Sequence, residues 1–501
     1  MHTIRQILTI LFLSITLSAM SYSPKREMRG VWVATVWGID WPSVTGTDAR
    51  TAERQKAELA RMLDRFKELN FTTVCFQVRS MGDVMYQSRI EPWSGFLTGS
   101  RGKAPHWDPL EFVVDECHRR GLECYAWVNP FRWSTGTRYD TPRDCEWRDK
   151  GWLLTHGKYT VFNPGIEDAR QHIVEVCREI VDGYDVDGLV FDDYFYPNRI
   201  PETKDAPDYG LYLSDTPWMT FGDWRRANVH KAVADVSAMI RDTRPGCRFG
   251  ISPAGVAGKG NTSASKWGLE PCRVKAADWQ YAEIYSDPIG LMYQGTVDFI
   301  SPQLYWSTGH ATAPFAPLAK WWSAASNQFG SHLYSSVTLE RLSQGDRREN
   351  NADLGRQIDH NRAESIDGNQ GIIIYSAKFI GDVADCLSTR FSRPSLTPVA
   401  AGSATEVTEK PKGLKLKDGT LTWREAAGEP GELMRYTVYA VPPGVGRDEA
   451  MDAGGDGLSA DYLLGVTYEP GFRVGKREDG WRYAVCVYSS SSAEGPAAWV
   501  E

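Results

Sequence analysis

Between Arg29 and about Phe379 the chain repeats one pattern eight times: a short run with strand character, a polar or aromatic cluster, then apolar residues at helical spacing. That alternation restricts the fold class to parallel β/α architecture, because parallel strands need a long crossover and a helix is the usual one. The strand-like runs are Gly30–Val36, Thr72–Val78, Glu123–Val128, Gly188–Phe191, Arg248–Ile251, Asp298–Leu304, His332–Val337 and Gly371–Tyr375. Between them Leu59, Met62, Leu63, Phe66 and Leu69 keep helical spacing, as do Leu110, Val113, Val114 and Cys117 ahead of Gly121, where a helix stop belongs. Eight such units predict a (β/α)8 TIM barrel.

Past Phe379 the pattern changes. Arg393–Pro398 and the Ala-, Ser-, Thr-, Glu- and Lys-rich stretch to Pro411 read as a linker, placed at residues 393–410. Period-two alternation follows in Leu414-Lys-Leu416, Leu421-Thr-Trp423, Tyr436-Thr-Val-Tyr439 and Tyr483-Ala-Val-Cys-Val-Tyr488. This predicts a small all-β sandwich over 411–501 that resembles a fibronectin type III module. The barrel domain is then 22–392, and a chain ending near Phe391 is expected to fold and keep its activity.

At the N-terminus, Arg5, the apolar stretch Ile7–Leu17 and the small residues Ser18, Ala19 and Ser21 form a secretory signal peptide, placed at residues 1–21. Export to the periplasm or the medium is expected. No cysteine precedes Cys75, which excludes a lipid anchor on a cysteine just after the signal, and no later apolar run approaches membrane-span length. The nine cysteines are odd in number and fall in strand-like and helix-like segments, so they read as small buried hydrophobes rather than a disulfide framework. With 56 basic against 64 acidic residues, a net charge of −8 and no basic stripe, nucleic acid is excluded as a partner.

The segment Asp187-Gly-Leu-Val-Phe-Asp-Asp-Tyr-Phe-Tyr-Pro197 carries the sharpest chemical signal. A buried strand there ends in two carboxylates, and the C-terminal ends of strands are where β/α folds collect catalytic groups. Other strand ends bring Trp37, Asp40 and Trp41, then Gln77 and Arg79, then Asn129 and Arg132, and finally Gln303, Tyr305 and Trp306. No His-x-His, His-Glu-x-x-His or Cys-x-x-Cys pattern occurs, nor a Gly-x-Ser-x-Gly elbow or phosphate loop, so neither metal nor other cofactor is expected.

Taken in order, Arg29-Gly-Val-Trp-Val-Ala-Thr35, Phe76-Gln-Val-Arg79, Glu91-Pro-Trp-Ser94, Trp127-Val-Asn-Pro130, Asn163-Pro-Gly165, Asp187–Pro197, Gly250-Ile-Ser-Pro253 and Ser301-Pro-Gln-Leu-Tyr-Trp306 resemble the glycosyl-hydrolase-10-like family of secreted bacterial proteins. The resemblance covers most of residues 26 to 380. It implies a TIM-barrel glycoside hydrolase acting on a polysaccharide or oligosaccharide, with bacterial cell-wall glycan as a substrate class. A non-catalytic glycan-binding protein of the same fold and a hydrolase of dietary or host polysaccharide are the alternatives.

Glycoside hydrolysis ordinarily uses two carboxyl groups. Asp192 is the first candidate, as nucleophile or general base. Asp193 is either its partner acid or a residue that orients Arg132 or Arg79, and Glu340, just after the seventh strand, is a rival acid. Successive strand residues point to opposite faces, so Asp192 and Asp193 can both reach the site only if the strand ends between them. Arg79, Asn129 and Arg132 are candidates for sugar hydroxyl, acetamido or carboxylate groups. Tyr194, Gln303 and Tyr305 are placed to contact the sugar, with Trp37, Trp41 and Trp306 as stacking platforms.

Overall fold

The computed structural model describes residues 23–136, 146–215, 218–260, 263–340, 347–366, 370–400, 407–426, 433–477 and 479–501. The signal-peptide segment lies outside them. Eight parallel strands close into a barrel: β1 (Met28–Val33), β2 (Thr73–Arg79), β3 (Glu123–Val128), β4 (Gly188–Asp192), β5 (Arg248–Ser252), β6 (Phe299–Ile300), β7 (His332–Thr338) and β8 (Gln370–Tyr375). Each pairs with its sequence neighbours, and β1 pairs with β8 to complete the ring. The main outer helices are α1 (Ala49–Glu68), α2 (Pro109–Arg119), α3 (Glu167–Gly183), α4 (Phe221–Thr243), α5 (Phe315–Gln328) and α6 (Arg347–Ala363).

Local chemistry starts these helices where they are. The Asp48 carboxylate accepts from Thr51 N ahead of α1, Asp108 accepts from Leu110 N and Glu111 N ahead of α2, and the Thr220 side chain accepts from Asp223 N ahead of α4. Each cap satisfies N–H groups that a helix cannot pair internally. The predicted stripes face inward: Leu59, Leu63 and Phe66 of α1 and Leu110, Val113, Val114 and Cys117 of α2 are buried against the outward residues of the strands.

Strand parity sorts the remaining side chains into the lumen. Met28, Trp32, Cys75, Tyr125, Trp127, Val190, Phe299, Tyr334 and Ile373 form a core of their own inside the ring. So many large rings fit because glycines stand opposite them: a Cβ on Gly188 would come within 2.8 Å of the Tyr125 ring, and one on Gly250 within 2.3 Å of Phe299. The lumen below the mouth is therefore filled with side chains, as in other barrels of this kind.

Two strand expectations are corrected. The sixth run is a ladder only over Phe299–Ile300, because Pro302 has no N–H to donate; Gln303 rejoins through single bridges to Ala254 and Ser336. The first strand stops at Val33 rather than Val36. Ala34 N donates to Asp40 Oδ2 at 2.7 Å, Thr35 N and Val36 N donate to Gln77 Oε1 at 3.0 and 2.9 Å, and Trp37 takes a left-handed conformation with φ 57°. A feature not anticipated follows β3: Arg132–Thr135, Leu153–His156 and Tyr159–Phe162 form a small antiparallel sheet beside the mouth.

After the barrel come a three-stranded and a four-stranded antiparallel sheet, with Leu421 and Trp423 of one packed against Tyr436, Val438, Val485 and Val487 of the other. These sheets cover the N-terminal end of the barrel. Arg435 forms an ion pair with Glu123 at the start of β3, and Tyr468 donates to Asp187 Oδ1 at 2.7 Å while stacking on His118 at 3.8 Å. Arg248 Nη2 donates to Pro398 O at 2.7 Å and Ser492 Oγ at 2.8 Å. Ser395, Leu396 and Thr397, read from composition as linker, are buried in this contact. A chain ending near Phe391 would leave Glu123, Asp187 and Arg248 buried or newly wetted without their partners.

Removing one member of a buried ion pair costs about 3–5 kcal/mol. Arg435→Met is therefore expected to lower the unfolding free energy by roughly that amount in a denaturant titration. Because the interface is at the far end of the barrel from the mouth, the rate per folded molecule should be unchanged.

Candidate active site

The C-terminal ends of the strands surround an open pocket of about 350 Å³. Its floor is made by the top of the lumen stack, Trp32 and Trp127, whose rings meet edge to face at 5.0 Å. Asp192, Asn129, Arg132, Tyr194, Gln303, Tyr305, Trp37 and Glu340 line it, together with Gln77, Ser252 and Tyr375.

Asp192 is the last residue of β4 and shares its parity with Val190, so its side chain points into the lumen. Asp193 lies just beyond the strand. The condition that lets both carboxyls approach one site is thus met. Gln303 Nε2 donates to Asp192 Oδ1 at 3.1 Å and to Ser252 O at 3.1 Å, fixing the carboxylate against β5 and β6. Asp193 N donates to the same Oδ1 at 2.9 Å.

Both carboxyl groups are buried, and burial raises the pKa of each above the ordinary 3.8. For Asp192 the nearby Arg132 charge and the hydrogen bonds from Asp193 and Gln303 oppose that rise. For Asp193 the Asp192 charge adds to burial and pushes its value well above the usual range. The two carboxyls are therefore driven apart, with protonation favoured more strongly at Asp193 than at Asp192.

Above them Arg132 lies flat over Tyr194, its Cζ 3.2 Å from the ring centroid. Tyr305 stacks on Tyr375 at 5.9 Å, and burial keeps its phenol protonated. Trp37 is 46% and Tyr194 40% exposed, so both offer ring faces at the rim. The left-handed backbone at Trp37 is unusual for so bulky a residue and is held by the Gln77 and Asp40 hydrogen bonds on either side.

Three sequence candidates lie elsewhere. Arg79 is fully buried; it pairs with Glu91 through two contacts of 2.6 Å and donates to Asn129 O at 2.6 Å and Pro130 O at 2.9 Å, so it shapes the turn after β3 and does not face the pocket. Trp41 is buried with its Nε1 donating to Gln55 O of α1 at 3.0 Å. Trp306 packs beside Gly255, and its carbonyl accepts from Gln357 Nε2 at 2.9 Å. Asn129 does line the pocket, but its amide is committed to Ser80 O at 2.9 Å and to Trp127 Nε1 at 3.1 Å. Asp193 opens instead onto an adjoining cavity of about 100 Å³ with Tyr159, Val161, Tyr196, Trp279 and Ile284.

Trp127 and Ser252 fall within the motifs of the family resemblance, and Ser252 at the end of the fifth strand-like run, but neither they nor Tyr375 were assigned to the site from sequence. Parity was the available signal, since each sits in a lumen-facing register at or near a strand end. Among the described residues no group of His, Cys, Asp and Glu side chains is arranged to hold a metal ion.

A closed (β/α)8 barrel with carboxyl and aromatic side chains gathered at the C-terminal ends of its strands is the arrangement of TIM-barrel enzyme sites, those of glycoside hydrolases among them. The chain belongs to the family described as Glycosyl hydrolase-like 10, which matches residues 27–352. It is 34% identical over 418 residues to the glycosyl hydrolase YngK of Bacillus subtilis, covering 79% of this chain and 78% of that protein. It is 33% identical over 372 residues to the glycosyl hydrolase DigH of Escherichia coli, covering 69% and 82% respectively. Among solved structures, the PgaB (BpsB) glycoside hydrolase domain of Bordetella bronchiseptica is similar with a TM-score of 0.47 and 14% identity over 73% of this chain and 98% of that one.

The Arg79–Glu91 pair supporting the β3 turn gives a stability prediction. Burial alone would raise the Glu91 pKa, but the Arg79 charge and the hydrogen bonds from His172 and Arg79 outweigh it and lower the value from 4.5 to about 2. A depressed carboxylate stabilises the fold above its ordinary pKa, and that contribution is lost as pH falls from about 4.5 towards about 2. Glu91→Gln should cost about 3–5 kcal/mol at neutral pH and flatten the decline in that window, as read by urea unfolding at stepped pH.

Proposed function

We propose that the protein is an exported glycoside hydrolase that cleaves O-glycosidic bonds in bacterial cell-wall glycan or a related polysaccharide. The observation that carries this reading is the Asp192–Asp193 pair at the end of β4, with Asp192 on the wall of an open pocket lined by aromatic rings and Asp193 on the adjoining cavity. A glycosidic bond needs a proton delivered to its leaving oxygen and negative charge near its oxocarbenium-like carbon. Asp193 holds such a proton, and Asp192 supplies such a charge.

The walls suit a sugar. Trp37, Tyr194 and Tyr305 present apolar faces for C–H surfaces, while Arg132 offers a planar array of donors for hydroxyl, acetamido or carboxylate groups. Membership of a glycosyl hydrolase-like family supports the reaction class. The cell-wall substrate rests on the sequence resemblance and on the mouth's open, groove-compatible form.

The test is incubation with defined glycans, including N-acetylated cell-wall strands with and without stem peptides, read by mass spectrometry. New reducing ends are expected from the wild type. Asp192→Asn removes the charge while nearly preserving volume, so it should retain fold and glycan binding and lose about 10³-fold or more in turnover. The wild-type rate should fall as pH rises through the elevated Asp193 value, because the proton donor is then lost, and should fall again in acid as Asp192 becomes protonated. A folded Asp192→Asn protein with near wild-type rates would remove this residue from the mechanism. Binding without any products from the wild type would leave a glycan-recognition protein instead.

A further inference from the structure

The two carboxyl groups at the end of β4 belong to consecutive residues and yet open onto different cavities. Asp192 faces the pocket of about 350 Å³, whereas Asp193 faces the neighbouring cavity of about 100 Å³. Arg132 and Tyr194 line both and stand at the divide. A chain of sugars laid across that divide would have one ring over Trp32 and Trp127 and the next towards Tyr159 and Trp279, with Asp193 beneath the bond that joins them.

Their placement on one strand end sets the pair apart from either two-carboxylate scheme. A carboxylate nucleophile sits about 5 Å from its acid, and an inverting base roughly 6.5–9.5 Å from it, so that the two flank the anomeric carbon from opposite faces. Asp192 and Asp193 are consecutive residues at the end of β4, with Asp193 N donating to Asp192 Oδ1 at 2.9 Å, so a sugar seated over β4 meets both groups from the same side. Glu340 is the other carboxyl on the wall of the large pocket, but it stands exposed at the rim just past β7.

We propose that Asp192 and Asp193 act as one unit on a sugar carrying a 2-acetamido group, and that the substrate's own amide oxygen is the nucleophile. This inference rests on the hydrolase reading above and assigns the part each carboxyl plays. The acetamido group lies on the apolar floor beside Trp32, Trp127 and Tyr375, with its N–H donating to the Asp192 carboxylate. Its carbonyl oxygen bonds to the anomeric carbon as the glycosidic C–O bond breaks. The electron pair of that bond leaves with the departing oxygen, which takes the proton from Asp193.

The cyclic oxazolinium so formed keeps its N–H on Asp192, whose charge offsets that of the ring. Water entering from the vacated small cavity then attacks the anomeric carbon, gives a proton to the Asp193 carboxylate, and releases the ring oxygen back to the amide carbonyl. One water is consumed, the acetamido group is regenerated, and configuration is retained. The attack geometry requires the scissile bond to be trans to the acetamido group. Gln303 is a positioning residue in this scheme, because it fixes the Asp192 oxygen that receives the N–H.

Two measurements test the assignment. The first uses aryl glycosides of an N-acetylglucosamine disaccharide whose N-acyl group is acetyl, fluoroacetyl, difluoroacetyl or trifluoroacetyl. Electron withdrawal weakens the amide oxygen as a nucleophile, so kcat/KM should fall progressively, by about 10²-fold or more across the series. The second is calorimetric binding of the corresponding 2-methylthiazoline, a stable analogue of the cyclised intermediate. Wild type should bind it, and Asp192→Asn should lose about tenfold or more in affinity.

A wild-type enzyme that cleaves N-acetylated glycans with a rate indifferent to fluorination, or that does not bind the thiazoline, overturns the inference while leaving the hydrolase reading intact. Loss of turnover in Glu340→Gln as severe as in Asp192→Asn overturns it too, in favour of two carboxylates facing each other across the large pocket. A folded wild type that neither cleaves any glycan nor binds the thiazoline overturns both readings.

Discussion

The structure depends on the in-and-out alternation of eight strands around a lumen filled with side chains below its mouth. Every lumen-facing side chain has to be filled against its neighbours, which is why Gly188 and Gly250 stand where Tyr125 and Phe299 need room. The same parity carries Val190 inside and then delivers Asp192, two residues on, to the first level that is open to solvent. A one-residue slip of β4 would put Phe191 at the mouth and Asp192 among the outer helices, where an ionised carboxylate has no compensation. Register and chemistry are therefore the same constraint.

The two ends of the barrel spend their charges differently. At the N-terminal end Glu123, Asp187 and Arg248 are each matched by partners from the C-terminal sheets or from the buried segment Ser395–Thr397, and the result is a sealed ionic layer. At the mouth Asp192 and Asp193 adjoin open cavities, and burial raises the value of each, that of Asp193 further because of the Asp192 charge. Matched buried charges hold structure, whereas an unmatched pair whose pKa values are driven apart is a device for moving a proton. The C-terminal sheets thus support the barrel from the side away from the chemistry.

Much of this was legible in the sequence because the signals were local. The eight apolar runs, the helical stripes, and the Asp-Asp at the end of the fourth run all report on residues close together in the chain. What escaped was decided by contacts between distant segments. Arg79 reads like a substrate ligand until Glu91 is brought against it, and Trp41 reads like a stacking platform until α1 covers it. Pro302 shortens the sixth strand by withholding one N–H, a detail that composition alone blurs. The sheet after β3 that holds Arg132 over Tyr194 had no strong periodicity to announce it.

The central claim is that Asp193 carries a proton for an ionised Asp192 at neutral pH. Difference infrared spectroscopy of the wild type against Asp193→Asn, taken at stepped pH, reports this without any substrate. The account predicts a protonated-carboxyl stretch in the wild type that persists through neutral pH, disappears only in alkali, and is missing in the variant. If instead all carboxyl absorption in the wild type vanishes near the ordinary aspartate value of 3.8, so that the variant differs from it by an ionised group at neutral pH, the two acids do not share a proton and the account is contradicted.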